Sequence, residues 1–338
     1  MAGLAVFLFF AATNLQAGWM FAIDALLVGV LAAGWASAAW SVRGLALTRT
    51  VQPEIHEGDP VAVTVDIRAR RLPRFFLEVV DEGAGLAAAS FSVPVVWPGH
   101  PVRVRYVTTA VRRGVHTGGA ATVVSAGLTG WFRAGRVIGV PSTVTVLPRI
   151  WQLRRFRIPT RSSGEFASVR PARAGLEVSG VRHYREGDSL RHVHWRSTAR
   201  RGRLVVREYE QDIDEAAVLL FDARSSHNFE DLVRAAASVA DALAGTGRAV
   251  RVAGSINGTP AEAGPSRGAV LHWLAAIGED GAVSPSRVYE AVCSPGTPVV
   301  VFTADPESVA YFAARGIPHA AVIAHEGDDL RAHLEAAR

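Results

Sequence analysis

The residues best suited to chemistry are arginines concentrated between residues 176 and 210, where aromatic side chains such as Tyr184 and Trp195 are interleaved with them. A guanidinium binds a carboxylate or a phosphate through two parallel hydrogen bonds. Two interpretations follow from this chemistry. Either Asp188 and Glu208 pair with the arginines and hold the fold together, or the arginines capture an anionic partner or substrate.

A strand, a capped helix and a second strand are predicted to position these arginines. The alternation in residues 181–184 is typical of a strand. Gly187 and Asp188 predict a turn in which the aspartate caps a short helix, and residues 204–209 alternate again as a second strand. Such a unit would present four arginines together, namely Arg182, Arg191, Arg200 and Arg207.

The spacing of glycine, aromatic and charged residues in this segment is specific. The residues that define it, and that form the candidate binding or signature set, are Gly180, Arg182, Tyr184, Gly187, Asp188, Arg191, Trp195, Ala199, Arg200, Arg207 and Glu208. Their pattern resembles the signature of the bacterial domain of unknown function 58 (DUF58) family. The resemblance implies a membrane-anchored partner of a MoxR-type AAA+ ATPase, and it implies an association rather than a particular reaction.

Residues 211–338 predict an α/β (Rossmann-like) domain, because apolar strand segments alternate with helical ones. A buried strand at 216–222 ends in Asp222, and Asp305 follows a strand at 298–302. In such sheets ligands bind beyond the carboxyl ends of the strands. The arrangement looks like a von Willebrand factor A domain, a fold that holds a divalent cation through an Asp-x-Ser-x-Ser loop and through a threonine and a second aspartate from other loops.

The match to that cation loop is partial. Asp222 and Ser226 stand at matching positions, and Asp305 is the candidate second carboxylate, so these three form the candidate Mg²⁺ set. Arg224 stands where the loop's first serine would be, and a guanidinium repels a cation. Two interpretations remain open here: a metal-dependent protein-binding site, or a site in which Arg224 pairs with Asp222 or Asp305 and no cofactor is bound.

The N-terminal residues 1–42 predict a transmembrane helical hairpin. Residues 1–13 carry no charged side chain, and the apolar run 18–40 is long enough to cross a bilayer. Arg43 and Arg49 follow directly, so the positive-inside rule predicts a plasma-membrane protein, with two spans and the bulk of the chain in the cytoplasm. Asp24 within the second run is either functional or, as we favour, located at a wet interface.

Two further regions are predicted between the hairpin and the signature. Short strands separated by turn residues predict a small all-β, sandwich-like domain over 45–148. In this region the DUF58 family often has an Asp-Pro-Phe-Gly-Leu-like stretch, which residues 125–132 do not reproduce. Residues 149–175 read as a basic linker, which would lie in solvent or against anionic headgroups.

Charge and composition narrow the function classes. Residues 151–207 hold 14 arginines against four carboxylates, whereas residues 208–338 hold nine against 19. The basic stretch can therefore dock on the acidic one, or attract an acidic partner or a membrane surface. The single cysteine, Cys293, excludes an intramolecular disulfide. We find no nucleic-acid motif, phosphate loop or catalytic motif, and therefore expect neither nucleic-acid binding nor enzymatic activity.

Three functional hypotheses remain. The first is a non-enzymatic adaptor that is tethered to the membrane and engages the AAA+ ATPase. The second is a metal-dependent binding domain built on Asp222, Ser226 and Asp305. The third is an enzyme that acts on an anionic envelope precursor through Tyr184, Asp188 and the surrounding arginines.

Overall fold

The computed structural model divides the chain into two compact units, Met1–Leu147 and Pro148–Arg338. The residues it describes are 2–15, 18–153, 156–159, 166–169, 180–183, 205–208, 216–224, 228–280, 283–325 and 329–336.

Two apolar helices begin the first unit. Helix α1 covers Ala2–Leu15 and helix α2 covers Gly18–Ser41, and the rings of Phe9 and Phe21 contact each other across them with centroids 6.3 Å apart. By length and composition α2 could span a membrane, with a mean hydropathy of 1.8, whereas α1 is shorter than a full span. Both apolar runs of the sequence are therefore helical.

Asp24 is placed differently from our expectation of a wet interface. Only 7% of it is exposed, and its Oδ1 atom accepts no hydrogen bond from the described residues. It lies in the first half of α2, where α1 is the neighbouring helix. Packing between the helices, which sequence periodicity alone did not reveal, removes this carboxylate from the surface.

Ten strands follow α2 in the first unit. They are β1 Leu45–Thr50, β2 Glu54–His56, β3 Pro60–Ala69, β4 Arg74–Gly83, β5 Ala89–Val96, β6 Val102–Thr109, β7 Gly114–Thr117, β8 Gly119–Ser125, β9 Ala134–Gly139 and β10 Thr143–Leu147. They form sheets of order β1-β3-β6, β2-β10-β7 and β5-β4-β8-β9. The alternation in β3 buries every second side chain, and Val61, Val63, Val65 and Ile67 join the core of this all-β region.

Short strand pairs and one larger sheet form the second unit. Strands β11 Phe156–Pro159 and β12 Phe166–Val169 pair antiparallel, as do β13 Gly180–His183 and β14 Val205–Glu208. The larger sheet contains β15 Ala217–Phe221, β16 Val250–Ile256, β17 Thr259–Ala263, β18 Val299–Thr303 and β19 His319–Ile323. The described helices are α3 Phe229–Gly245, α4 Arg267–Ala276, α5 Pro285–Val292, α6 Pro306–Ala314 and α7 Leu330–Ala336.

The larger sheet is doubly wound. Its order is β17-β16-β15-β18-β19, and all neighbours are parallel except the edge strand β17. Adjacent residues of β15 face opposite sides: Leu220 joins a cluster with Tyr289 of α5 and Phe312 of α6, while the ring of Phe221 meets Phe229 of α3. Helices therefore cover both faces, as the alternating strand and helix pattern predicted.

Some elements were not expected from composition. The predicted linker contains β11 and β12, which pair with each other. The edge strand β17 contains Pro260 and, among the described strands, pairs with β16 alone. Helix α5 is one of the shorter described helices, and its first residue is Pro285.

Candidate functional site

A polar cluster lies where the parallel strands of the large sheet end. Asp222 follows the last residue of β15, Thr303 is the last residue of β18, and Asp305 comes two residues later. The chain leaves β15 toward β16 on one side and returns to β18 on the other, so the strand order reverses between β15 and β18. In doubly wound sheets that reversal opens the crevice in which ligands bind.

Arg224 occupies the centre of this cluster. Its Nε donates to Asp222 Oδ1 at 2.9 Å, and its Nη2 donates to Asp222 Oδ2 at 2.7 Å. The same Nη2 donates to Asp305 Oδ2 at 3.1 Å and to the Ser308 hydroxyl at 2.6 Å. One guanidinium therefore binds two carboxylates from different strand ends, which is the pairing that the sequence left as an alternative to a metal.

Local hydrogen bonds fix the two carboxylates. Asp222 is 4% exposed, and its Oδ2 accepts a 2.6 Å hydrogen bond from the Thr303 hydroxyl. Asp305 is the N-cap of α6: its Oδ1 accepts from the backbone N–H of Glu307 at 3.0 Å, and its Oδ2 accepts from Ser308 at 3.0 Å. The strand end and the helix start thus hold both acids before any partner arrives.

The charges in the cluster stabilise one another. Hydrogen bonding to Asp222, together with the charges of Asp222 and Asp305, outweighs burial and raises the pKa of Arg224. Burial by itself would raise the pKa of Asp305, but hydrogen bonds from Ser308, from the Glu307 N–H and from Arg224 outweigh burial and lower it. Asp305 is therefore ionised and Arg224 protonated near neutral pH.

A third carboxylate lies beside this cluster, at the end of β16. Asp280 Oδ2 accepts from the Ser255 hydroxyl at 2.8 Å and from the backbone N–H of Gly258 at 2.5 Å, while its own N–H donates to the carbonyl of Ala223 at 2.6 Å. The loop that carries Asp280 is thereby joined to the loop that carries Arg224. Polar groups at the carboxyl ends of three neighbouring strands, β16, β15 and β18, therefore lie at the same end of the sheet.

These residues do not fit a divalent cation in the arrangement seen here. A hard cation such as Mg²⁺ needs about six oxygen ligands, and the oxygens of Asp222 and Asp305 already accept hydrogen bonds from Arg224. Among the described residues no group of three or more His, Cys, Asp or Glu side chains is arranged to hold a metal. Ser226, the third residue of the candidate set, lies outside the described residues.

The arginine-rich signature is described only in its two strands. Gly180 is opposite Glu208 in the β13–β14 pair, Arg182 is opposite Val206, and Arg207 is opposite Val181. The two predicted strands are thus confirmed and pair antiparallel, and the two arginines are not cross-strand partners. The other signature residues lie outside the described residues: Tyr184, Gly187, Asp188, Arg191, Trp195, Ala199 and Arg200.

A separate cavity of about 370 Å³ lies against α5 and α6, away from the carboxyl ends of the strands. Its polar groups are paired with one another: Glu290 Oε1 accepts from the Tyr311 hydroxyl at 2.6 Å and from Arg315 at 2.7 Å. Burial raises the pKa of the Cys293 thiol in its wall to about 11. The charge of Arg251 lowers this pKa and the charge of Glu262 raises it, and both effects are smaller than that of burial. The thiol is therefore protonated near neutral pH, and a protonated thiol is a poor nucleophile.

Sequence reasoning missed several residues of the strand-end cluster. The threonine of the cation site could not be assigned from the sequence, although Thr303, two residues before Asp305 at a strand end, was a usable signal. Ser308 was hidden as the third residue of a helix. Asp280 lies 25 residues from Ser255, and no local pattern connects them.

Comparison with known proteins supports the resemblance over part of the chain. Residues 180–288 match a family described as "Protein of unknown function DUF58". That range runs from β13 into α5 and contains Asp222 and Arg224, but it ends before Asp305. An uncharacterized protein of Bacillus subtilis strain 168, YeaD, is 27% identical over 248 residues, which cover 68% of this chain and 61% of that protein. The chain thus spans less than two thirds of this relative's length.

A solved structure is similar only at a low level. The sporulation control protein Spo0M from Bacillus subtilis aligns with a TM-score of 0.21 and 11% identity, over 31% of this chain and 50% of that chain. A TM-score this low does not establish a shared fold.

Proposed function

We propose that this protein is a membrane-anchored, non-enzymatic adaptor that works with a MoxR-type AAA+ ATPase. In this proposal α1 and α2 form a two-helix hairpin in the plasma membrane, and the remainder of the chain lies in the cytoplasm, where Arg43 and Arg49 follow the span. The similarity of residues 180–288 to the DUF58 family supports the association with the ATPase, because the resemblance to that family implies it.

One observation carries the choice of adaptor over metal-dependent binder or enzyme. At the reversal of the strand order the crevice contains the guanidinium of Arg224, which binds Asp222 and Asp305 at hydrogen-bond distance. A ligand or metal that used these carboxylates would first have to displace a charge held by both of them. The proposal therefore assigns binding to protein surfaces and leaves chemistry to the ATPase.

Co-purification tests the partnership. Full-length protein extracted from its native membrane is expected to retain the AAA+ ATPase, with or without a chelator of divalent cations when no nucleotide is added. Arg191→Ala in the signature is expected to weaken retention, and Arg103→Ala, which removes an exposed arginine of the all-β region, is the matched control. A preparation that retains no such ATPase, or that turns over a substrate alone, would contradict the proposal.

The metal-dependent alternative is favoured by the convergence of Asp222, Thr303 and Asp305 at one edge. Calorimetric titration separates the two ideas. Wild-type protein is expected to give no binding heat with Mg²⁺, whereas Arg224→Ser, which frees the carboxylates and adds a hydroxyl, is expected to give a measurable one. Mg²⁺ binding by the wild-type protein, together with loss of partner retention in chelator, would support the alternative instead.

A further inference from the structure

Two loops of the all-β region flank the C-terminal half of α2. We call residues 126–133 and residues 70–76, the last three of which begin β4, the α2-flanking loops. The loop 126–133 packs directly on the helix: the Leu128 N–H donates to the Ser37 hydroxyl at 3.0 Å, and Gly34 lies so close to Thr129 that any Cβ added there would collide with its side chain. A Cβ added to Gly127 would lie 2.9 Å from the Gly34 carbonyl oxygen, so this approach depends on glycine on both sides.

The second flanking loop is joined to the first and to the helix end. The hydroxyl of Ser125, which is fully buried, donates to the Phe75 carbonyl at 2.8 Å and accepts from the Gly127 N–H at 3.1 Å. Arg74 donates to the Arg43 carbonyl at 2.7 Å and stacks over Trp40, with 5.1 Å between its guanidinium carbon and the ring centroid. Both loops are therefore fixed in position relative to α2.

The helix sets the depth of these loops in a bilayer. The 24 residues of α2 extend about 36 Å at 1.5 Å per residue, whereas the hydrocarbon layer is about 30 Å thick. A centred helix thus projects only about 3 Å beyond the hydrocarbon at each end. Gly34 is seven residues before Ser41, or about 10 Å along the axis, so Thr129 and its neighbours lie below the hydrocarbon surface if α2 crosses the membrane.

Much of the exposed surface of the loops is apolar, as a position within the hydrocarbon layer requires. Large apolar side chains are exposed on both, namely Leu72 at 45%, Phe76 at 53%, Leu128 at 60% and Trp131 at 49%. Phe76 has a φ of 47°, a conformation uncommon outside glycine, and its ring points away from the core. An open groove of about 330 Å³ lies between helix and loops, lined by Ser37, Trp40, Leu72, Pro73, Phe75 and Leu128 among others.

Exposed arginines lie in or next to the chain segments that line the apolar groove. Arg43 after the helix, Arg70 and Arg71 in one loop and Arg133 in the other are all exposed. Residues 68–77 and 125–136 contain neither Asp nor Glu. Basic side chains just outside a span attract anionic lipid headgroups, and the guanidinium fork binds phosphate oxygens in two parallel hydrogen bonds.

We infer that the α2-flanking loops insert into the leaflet that contains the C-terminal end of α2 and bind an anionic phospholipid there. An acyl chain occupies the groove beside Trp40 and Leu72, and the arginines around it bind the lipid phosphate. The inference rests on the proposed membrane anchoring by α2. It goes further in that the all-β region becomes a lipid-binding domain rather than a spacer above the membrane.

Depth-dependent fluorescence quenching tests the insertion. Full-length protein with Cys293→Ser and a single new cysteine is labelled with a fluorophore and reconstituted into vesicles that contain lipids brominated on their acyl chains. Leu128→Cys and Leu72→Cys are expected to be strongly quenched. Val111→Cys is the matched control, because Val111 is also apolar and 55% exposed but follows the end of β6 that pairs with Pro60, at the opposite end of β3 from α2.

Lipid retention tests the headgroup preference. The phospholipids that co-purify in mild detergent from vesicles of equal zwitterionic and anionic content are quantified by mass spectrometry. We expect anionic lipid to be enriched, and the enrichment to fall on the order of fivefold for each of Arg70, Arg71 and Arg133 replaced by Gln. Arg103→Gln, in the same region but paired with Asp66, is expected to change nothing.

Each outcome decides a separate point. A chain that stays in alkali-washed membranes, but whose labels at positions 72 and 128 are quenched no more than at position 111, overturns the inference and leaves the anchoring intact. Quenching without anionic enrichment overturns the phosphate-binding half. A chain that leaves the membrane under alkaline wash refutes the anchoring itself, and the inference with it.

Discussion

Two arginine–carboxylate sites in this protein use the same groups in opposite surroundings. In the all-β region Arg49 pairs with Asp81, with side-chain exposures of 0% and 1%, and Arg49 also donates to the Ser142 hydroxyl at 3.1 Å. At the edge of the large sheet Arg224 binds Asp222 and Asp305, and here the arginine is 32% and Asp305 39% exposed. The first pair is enclosed by strands, whereas the second faces a crevice.

This difference in exposure distinguishes an ion pair with a structural role from one that lies where a partner could bind. Nothing outside the fold can reach Asp81, which also accepts a hydrogen bond from the Tyr106 hydroxyl; burial, that bond and the carboxylate's charge raise the pKa of Tyr106. A third of the Arg224 side chain is in contact with solvent, so a partner can reach this guanidinium. The same pair of groups is thus enclosed in one place and accessible in the other.

The largest effect is expected from breaking the buried pair. Arg49→Ala leaves the Asp81 carboxylate without its countercharge inside the core, and such losses cost about 3–5 kcal/mol of unfolding free energy. Hydrogen exchange followed by mass spectrometry, on peptides from β3 and β8, measures the change in the full-length protein.

Two further variants control that result. Arg49→Met combined with Asp81→Leu removes both charges and is expected to recover much of the loss, because no ion then remains unpaired. Arg103→Ala removes an arginine that is 60% exposed and paired with Asp66, and it is expected to cost less than about 1 kcal/mol. An equal cost for Arg49→Ala and Arg103→Ala would show that burial does not distinguish these pairs.

A smaller effect is expected at the sheet edge. Arg224→Ala removes charge-assisted hydrogen bonds from Asp222, which is buried but keeps its bond from Thr303, so we expect a loss of about 1–3 kcal/mol. Arg224→Lys keeps the charge but not the forked guanidinium, so the stability of this variant is expected to lie between those of the wild-type protein and Arg224→Ala. Exchange in peptides from β15 and β18 provides the measurement.

Added Mg²⁺ sharpens the same comparison. It is expected to restore stability to Arg224→Ala in proportion to the logarithm of its concentration, because a ligand that binds only the folded state stabilises it. Neither the wild-type protein nor Arg49→Ala should respond. A response of the wild-type protein would mean that the guanidinium does not hold the position of a cation.

The smallest effect is expected from acid. Hydrogen bonds lower the pKa of Asp305 in the folded protein, so its stabilising contribution is present above its unfolded pKa of about 3.9 and is lost as the pH falls through the folded value. Asp305→Asn should therefore narrow the difference in stability of the large sheet between neutral and strongly acidic solution. Acid unfolding, followed by exchange in α6 peptides, measures this, and an unchanged pH dependence would contradict it.

The sequence predicted the elements that depend on local patterns. Alternating valines identified β3, and the acidic ends of two apolar runs identified Asp222 and Asp305 as neighbours across the sheet. The pairing of Arg224 was foreseeable because it stands two residues from Asp222, within reach of the same carboxylate. These predictions needed only periodicity and the rule for strand ends.

Contacts between distant segments could not be predicted. The sequence left the role of residues 125–132 open because they depart from the family pattern, yet Leu128 and Thr129 pack on a helix some 90 residues earlier, since Gly34 and Gly127 allow the backbones to approach. Burial of Asp24 likewise depends on a neighbouring helix. Strand β17 was missed because Pro260 and Glu262 are poor strand formers, and pairing with β16 overrides that preference.

The junction between α2 and the strands has a mechanical consequence. Ser37 and Ser41 each accept a backbone hydrogen bond from the all-β region, and Arg74 clamps the residue that follows Val42. A flexible linker would absorb a force applied to the strands, whereas a helix that is held at several points along its last two turns transmits that force. A rotation of the strands would therefore rotate the end of the helix with them.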